Sequence, residues 1–261
     1  MIRPVSLYII GYNEEDNLRE LLPTVTWADE ILYVDSFSTD GTAAFCAEHG
    51  LRHVDVPFTR FGRIRNQALE FASHDWIVSI DTDERATPEF AAEVRETLVQ
   101  PKHDAYFVPR RNTFLGKPVR FGGMYPDYRQ PQVFDRRKFR YRDDLVHEGF
   151  ECSGSIGYFK NAIWQHPWPT LAVAAKKTDR YTALMARRKF EAGQRASLLK
   201  LVGAPAVGLF RKYIAQQGFR DGMPGLILAG LHAYYTFLKY ANLWELQNQP
   251  PSERPDRKQQ P

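Results

Sequence analysis

Trp76-Ile77-Val78-Ser79-Ile80-Asp81-Thr82-Asp83-Glu84 is the stretch that decides how this chain reads. An apolar run from Trp76 to Ile80 ends abruptly in two carboxylates one residue apart, with a third beside them. Side chains alternate along a strand with period two, so a strand that delivers Asp81 and Asp83 to its C-terminal tip sets both on one side. Two hard oxygen donors on one edge suit Mg²⁺ or Mn²⁺, ions that commonly take substrate phosphates as their remaining ligands. An isolated D-x-D pair is equally compatible with a turn or a helix cap. The surrounding sequence separates the two readings.

Upstream, Val5 to Gly11 is a continuous apolar run, as expected of a strand buried on both faces of a parallel sheet. Asn13 is placed to cap the next helix, with Glu14, Glu15 and Asp16 in a first turn where the macrodipole favours acids. Further strands are expected over 30–36, 52–56 and 75–80, with helices ending at His49, spanning 62–72 and starting near Pro88. That alternation predicts an α/β fold with a mostly parallel sheet and helices on both faces. Beyond residue 100 the texture changes. Aromatics, Arg, Pro and Gly crowd 104–165, with short strands expected at 105–109, 132–134 and 156–159. Helices are expected over 170–192, 205–217 and 223–246, and the Pro-, Gln- and charge-rich tail from 247 reads as disordered. The domain organisation expected is 1–100 and 101–168 as two halves of one domain, then 169–246 as a helical, basic region before the 247–261 tail.

Four motifs fall at or just after strand ends. They are Gly11-Tyr12-Asn13-Glu14-Glu15, Val34-Asp35-Ser36-Phe37-Ser38-Thr39-Asp40-Gly41-Thr42, Gly62-Arg63-Ile64-Arg65-Asn66-Gln67 and Asp81-Thr82-Asp83. In an open α/β sheet the ligand crevice lies outside the carboxyl ends of the strands, so all four can serve one ligand. The chain has no G-x-G-x-x-G and no G-x-x-x-x-G-K-[ST], which excludes the usual dinucleotide and P-loop sites. A nucleotide recognised by acids and backbone groups, its phosphates held by a metal and an Arg, remains. For Asp40, capping of the helix entry made by S-T-D-G-T is the preferred role.

On those motifs the first 100 residues resemble the donor-binding half of a family 2 inverting glycosyltransferase of the GT-A fold. The second half resembles bacterial lipopolysaccharide core β-glucosyltransferases through Tyr125-Pro126-Asp127, Val146-His147-Glu148 and the closing pattern from Tyr213 to Tyr240. The resemblance implies transfer of a hexose, glucose from UDP-glucose, to an inner-core heptose. It places Tyr12, Asn13 and Glu14 around the base and ribose and Asp35 near the uracil, with Ser36 where many relatives carry a second acid. Arg63 or Arg65 should face the pyrophosphate, Asp83 should touch the metal, and Asp81 should bind ribose or donor sugar and complete the metal set. An inverting transfer needs one general base for the acceptor hydroxyl. Candidates are Asp143, Asp144, His147 and Glu148, with Glu148 preferred and Asp144 its rival. The same resemblance leaves open another sugar, a polysaccharide or peptide acceptor, or a non-catalytic GT-A-like binding module.

Composition fits a folded protein: 261 residues, 43% hydrophobic, 25% charged, net charge +4. The charge is uneven. Residues 176–220 hold eleven Lys/Arg against Asp179 and Glu191, a local net of +9 that suits an anionic surface. No nucleic-acid motif accompanies it, so nucleic acid is not expected as a partner. Cys46 and Cys152 have no ligand spacing and read as free thiols. With no signal-peptide pattern, the expected place is the cytoplasm, peripheral at the inner face of the inner membrane. The 223–246 helix, interrupted by His232 and Lys239, reads as core or interfacial rather than spanning.

Overall fold

The computed structural model describes residues 2–143 and 149–249. In chain order the elements begin β1 (Val5–Gly11), α1 (Glu15–Val25), β2 (Glu30–Asp35), α2 (Thr42–Glu48), β3 (Arg52–Asp55), α3 (Phe61–Phe71), β4 (Trp76–Ser79), β5 (Glu84–Arg85) and α4 (Pro88–Thr97). Short strands follow: β6 (Ala105–Phe107), β7 (Arg110–Phe114), β8 (Lys117–Val119), β9 (Pro131–Asp135), β10 (Phe139–Tyr141), β11 (Phe150–Cys152), β12 (Ile156–Tyr158) and β13 (Ile163–Trp168). Three long helices close the described chain, α5 (Leu171–Glu191), α6 (Leu198–Phe210) and α7 (Gly222–Asn248), with a π-helical turn at Arg211–Ala215 and a 3₁₀ turn at Gly218–Asp221. The residues divide into two compact units, Met1–Arg111 with Asp127–Gln165, and Asn112–Pro126 with His166–Pro261.

The first unit is built on a seven-stranded sheet of order β12-β6-β9-β4-β1-β2-β3. The pairs β4–β1, β1–β2 and β2–β3 are parallel, as is β12–β6, and only β9 runs antiparallel to its neighbours β4 and β6. The mostly parallel sheet expected from the sequence is therefore present. Period-two alternation assigns the faces. Val5, Leu7, Ile9, Trp76, Val78 and Ile80 join a core with α1, α2 and α4 through Leu18, Leu21, Phe45, Phe90 and Val94. Tyr8, Leu32, Val34 and Ile77 point the other way, onto Ile64, Ala68 and Leu69 of α3 and Phe139 and Tyr141 of β10. Both faces are covered by helices, which is why these strands read as unbroken apolar runs.

One local expectation is corrected. Helix α1 starts at Glu15, its N-cap Glu14 makes no side-chain cap bond, and Asn13 does not cap it. Asn13 instead takes a left-handed backbone at φ 56°, a conformation Asn tolerates better than most residues, and turns its side chain toward the next loop.

In the second unit, β7 and β8 pair as a tight hairpin from Asn112↔Val119 to Phe114↔Lys117. Its two turn residues, Leu115 and Gly116, both have positive φ, the requirement of a type I′ turn matched to the strand twist. Thr170 caps α5 by accepting from Val173 N at 3.2 Å, and Ser197 caps α6 by accepting from Lys200 N at 3.3 Å. The helix expected to open at Pro205 therefore opens seven residues earlier, and Pro205 lies inside α6. Phe114, Val119, Ala174, Trp168 and Leu228 form this unit's core cluster. Among the described residues no helix is long and apolar enough to cross a membrane.

Candidate active site

In the first unit the ends of β1, β2 and β3 lie level. Gly11 registers with Asp35, and Asp35 with Asp55. On the other side of β1, Tyr8 registers with Ser79, so the chain leaving β4 carries Asp81 and Asp83 past the same edge. A Cβ at Gly11 would overlap the Tyr33 hydroxyl, so this strand end stays free of side chain.

The β1 and β2 loops are tied together by Asn13. Its Oδ1 accepts from Thr39 N at 2.7 Å, and its own N–H donates to Ser38 Oγ at 2.8 Å. Glu14 N donates to Thr42 Oγ1 at 3.0 Å. Asp40 accepts from Thr42 N at 3.0 Å and Glu15 N at 3.4 Å, which is the capping role expected for it. Tyr12 projects from this knot and is 54% exposed, free to lie against a flat ring. Asp35 is buried and fully engaged: Oδ1 accepts from Ser38 N at 3.0 Å and Ser38 Oγ at 2.6 Å, and Oδ2 meets His53 Nε2 at 3.0 Å. Ser36 donates its backbone N–H to Gly11 O at 3.0 Å, closing the strand ends together. Among the described residues, Asp35, His53 and Asp55 are a group whose ligand atoms lie within 4.8 Å of one another. Hydrogen bonding already accounts for that approach at Asp35.

Beneath the D-x-D turn lies a charged network that sequence reasoning only partly anticipated. Arg65 donates to Asp81 Oδ1 at 2.8 Å, Ser79 Oγ at 3.0 Å and Tyr8 OH at 3.4 Å. Burial would raise the Asp81 carboxyl, but the Arg65 charge and hydrogen bond hold it below the usual range. Glu84 is wholly buried; Arg110 Nε donates to its Oε1 at 2.6 Å, and Gln132 Nε2 and Asp81 N donate to its Oε2 at 2.9 and 3.0 Å. Burial pushes Glu84 up to about 7, the Asp81 and Asp83 charges add to the rise, and Arg110 opposes it. Asp83 Oδ1 accepts from Gln165 Nε2 at 3.3 Å. Gln165 Oε1, Gln132 Oε1 and Arg110 Nη1 are buried with no hydrogen-bond partner among the described residues, as expected where a polar ligand or water completes the set.

The two arginines of α3 part company. Arg65 is buried and turned inward onto Asp81, whereas Arg63 is exposed and its Nε donates to Asp143 Oδ2 at 2.8 Å. Asp143 also takes Arg60 Nη1 at 3.4 Å, so this candidate base is held in an ion-pair cluster. A Cβ at Gly62 would overlap Arg142 O, which brings the start of α3 tight against the 142–143 backbone. Asp144, His147 and Glu148 lie outside the described residues.

Sequence reasoning missed Arg129. It pairs with Asp127 Oδ2 at 2.7 Å, and its charge acts on both Asp81 and Glu84. The Tyr125-Pro126-Asp127 triplet was the available signal. Arg110, which bridges backbone to backbone with Asp127, had none.

An α/β layer that brings three loop ends and the 81–83 turn to one edge offers a ligand crevice there. The model of the Glycosyl transferase family 2 matches residues 6–166, more than half of the chain, and the chain belongs to that family. It is a glycosyltransferase. It is 29% identical to the lipopolysaccharide core biosynthesis glycosyltransferase LpsC of Rhizobium meliloti (strain 1021), over 93% of this chain and 92% of that protein. It is 22% identical to a glycosyltransferase of Rickettsia felis, over 92% and 89%. Among solved structures, S. aureus TarS 1-349 covers 94% of this chain and 92% of its own at 14% identity and TM-score 0.47. Glucosyl-3-phosphoglycerate synthase from Mycobacterium tuberculosis covers 42% and 44% at 26% identity and TM-score 0.35.

Proposed function

We propose that the protein is an inverting, metal-dependent glycosyltransferase that moves a hexose, glucose from UDP-glucose, onto a heptose of the lipopolysaccharide inner core. The observation that carries the reading is the edge where Asp81 and Asp83 leave β4 beside the level ends of β1 and β2. Likeness to LpsC over nearly the whole of both chains supports the acceptor class.

Tyr12 stacks on the base, while Asn13 and Glu14 hold the β1 loop against the Ser38–Thr42 turn so that Asp35 and Ser36 border the base and ribose. Asp81, fixed by Arg65 with Oδ1 already taken, bounds the ribose and donor sugar. Asp83 is the principal metal residue. The donor set fits Mg²⁺ or Mn²⁺, because two carboxylates supply hard oxygens and leave most of the coordination sphere to phosphate and water. When bound, the ion neutralises charge on the departing diphosphate. Arg63 and Arg129 are the cations assigned to the pyrophosphate, in place of Arg65. Glu148 takes the acceptor proton, with Asp144 as its rival and His147 beside it. The acceptor is lipid-anchored, so the enzyme works from the cytoplasmic side, peripheral to an anionic leaflet that the 176–220 cations attract.

A donor panel tests this. Nucleoside diphosphate release is read for UDP-, GDP- and dTDP-sugars, with core oligosaccharides carrying or lacking the heptose. UDP-glucose with the heptose acceptor should give the highest rate. Preference for another base, or indifference to heptose, would overturn the corresponding half of the reading.

A further inference from the structure

Helix α6 is apolar on the side turned away from its packing partner as well as on the packed side. It has 13 residues, and none of them is buried. At 3.6 residues per turn, Leu201, Ala204, Pro205 and Gly208 share one side. That side packs on α7: a Cβ at Gly208 would lie 3.2 Å from His232 Cδ2 and 3.9 Å from Thr236 Oγ1. The rest of the circumference presents Leu198, Leu199, Val202, Val207, Leu209 and Phe210, with Leu198 77%, Leu199 81%, Val207 67% and Phe210 62% exposed. Single exposed apolar residues are ordinary on a protein surface; a stripe along a whole helix is an interaction face.

Charge identifies what covers it. Lys200 and Arg211 flank the stripe on one side, Arg195 precedes it, and no Asp or Glu occurs from Ala192 through Arg220. A second copy meeting this face across a two-fold would oppose cation to cation with no acid to pair them. An anionic bilayer accepts both features, apolar side chains below the headgroups and cations among the lipid phosphates. Helix α7 buries Gly225, Ala229, Thr236 and Leu243, and its exposed apolar side chains, Met223, Leu226, Tyr234, Phe237 and Trp244, are spread along 27 residues instead of following one another as they do on α6.

We propose that α6 is the membrane-inserting element of this protein, its Leu198–Phe210 stripe entering an anionic leaflet while Lys200 and Arg211 remain at headgroup depth. This rests on the reading that the acceptor is lipid-anchored, and moves the anchoring from the 223–246 helix to α6.

The test is co-sedimentation of the full chain with phosphatidylcholine vesicles and with phosphatidylcholine/phosphatidylglycerol vesicles over an ionic-strength series. The wild type should pellet with the anionic vesicles, lose part of its binding at high salt and keep a salt-resistant remainder. Leu199→Asp/Phe210→Asp should bind at least tenfold more weakly, with thermal unfolding unchanged. Lys200→Gln/Arg211→Gln should keep the salt-resistant part and weaken the salt-dependent part, the other cations of 176–220 retaining the remainder. Equal pelleting of the double Asp variant and wild type would overturn the proposal. So would a wild-type dimer in sedimentation velocity that the double Asp variant converts to monomer, since a second copy would then cover the stripe. If the double Asp variant does not fold, Phe210→Trp decides: its added emission should be quenched by brominated acyl chains, and absence of quenching refutes insertion. Vesicle binding that persists in a protein unable to bind UDP would retain α6 as the anchor and remove only the donor assignment.

Discussion

Replacing Arg110 with Met removes one charge and keeps nearly the same volume, at a site where the consequence can be worked out. Arg110 is 2% exposed, Glu84 0%, and the pair meets at 2.6 Å. Two unit charges about 4 Å apart attract by about 4 kcal/mol at an effective dielectric of about 20. Stripping one partner from a buried pair costs about 3–5 kcal/mol where the remaining charge stays desolvated; Glu84, already raised to about 7 beside Arg110, escapes part of that cost by taking up a proton once Arg110 is gone. Gln132 and Asp81 N still donate to Glu84 Oε2, which places the expected loss near the lower end, about 3 kcal/mol. For a chain of this size that is about 6–12 °C in Tm, read by circular dichroism or scanning fluorimetry. Glu84→Gln added to Arg110→Met should recover at least half of the loss, since a neutral amide needs no counter-charge. A single variant melting within about 2 °C of wild type, or a double variant worse than the single, would refute the view that a buried pair supports the D-x-D turn.

Other outcomes follow from particular contacts. Glu30 accepts from Ser6 Oγ, Ser73 N and Oγ, and Arg52; burial opposes ionisation, but these donors bring its carboxyl down to about 2. Because the folded value lies below the unfolded 4.5, its contribution is present above pH 4.5 and lost as pH falls toward 2. Discounted for solvent screening it amounts to about 2 kcal/mol, so urea titrations from pH 7 to 3 should show Glu30→Gln losing the steepest part of the acid limb. Asn13→Ala should raise the donor KM about tenfold, equivalent to about 1.4 kcal/mol, with a smaller change in kcat. Asn13→Gly restores the positive φ but not the Thr39 bond, so in the same kinetics it should recover only part of the loss. Glu148→Gln should abolish transfer with UDP affinity intact; if Asp144→Asn alone behaves that way, the base is Asp144.

Much of the fold was legible because its determinants are local. Val5–Gly11 and Trp76–Ser79 are apolar runs that only a doubly covered sheet can bury, and the loops after β1, β2 and β4 announce themselves by composition. What escaped depends on pairing between distant residues. Glu84–Arg85 is a two-residue strand that exists because β13 pairs with it, with Gln165 opposite Glu84 and Trp164 opposite Arg85. The inward turn of Arg65 and the approach of Arg129 to Asp81 likewise arise from contacts across the sheet. Asn13 was assigned the ordinary capping job of its residue type, and the structure uses its tolerance of positive φ instead. The helix expected over 205–217 starts instead at Leu198, where the Ser197 cap sets it, and Pro205 lies within it.

The central claim is a metal-assisted nucleotide-sugar site at Asp83, and calorimetric titration of UDP into wild type and Asp83→Asn, each with Mn²⁺ and with excess EDTA, tests it most directly. The account predicts that wild type binds UDP at least tenfold more tightly with Mn²⁺ than with EDTA, and that Asp83→Asn binds weakly and alike in both. Equal affinity for UDP in all four titrations would contradict it.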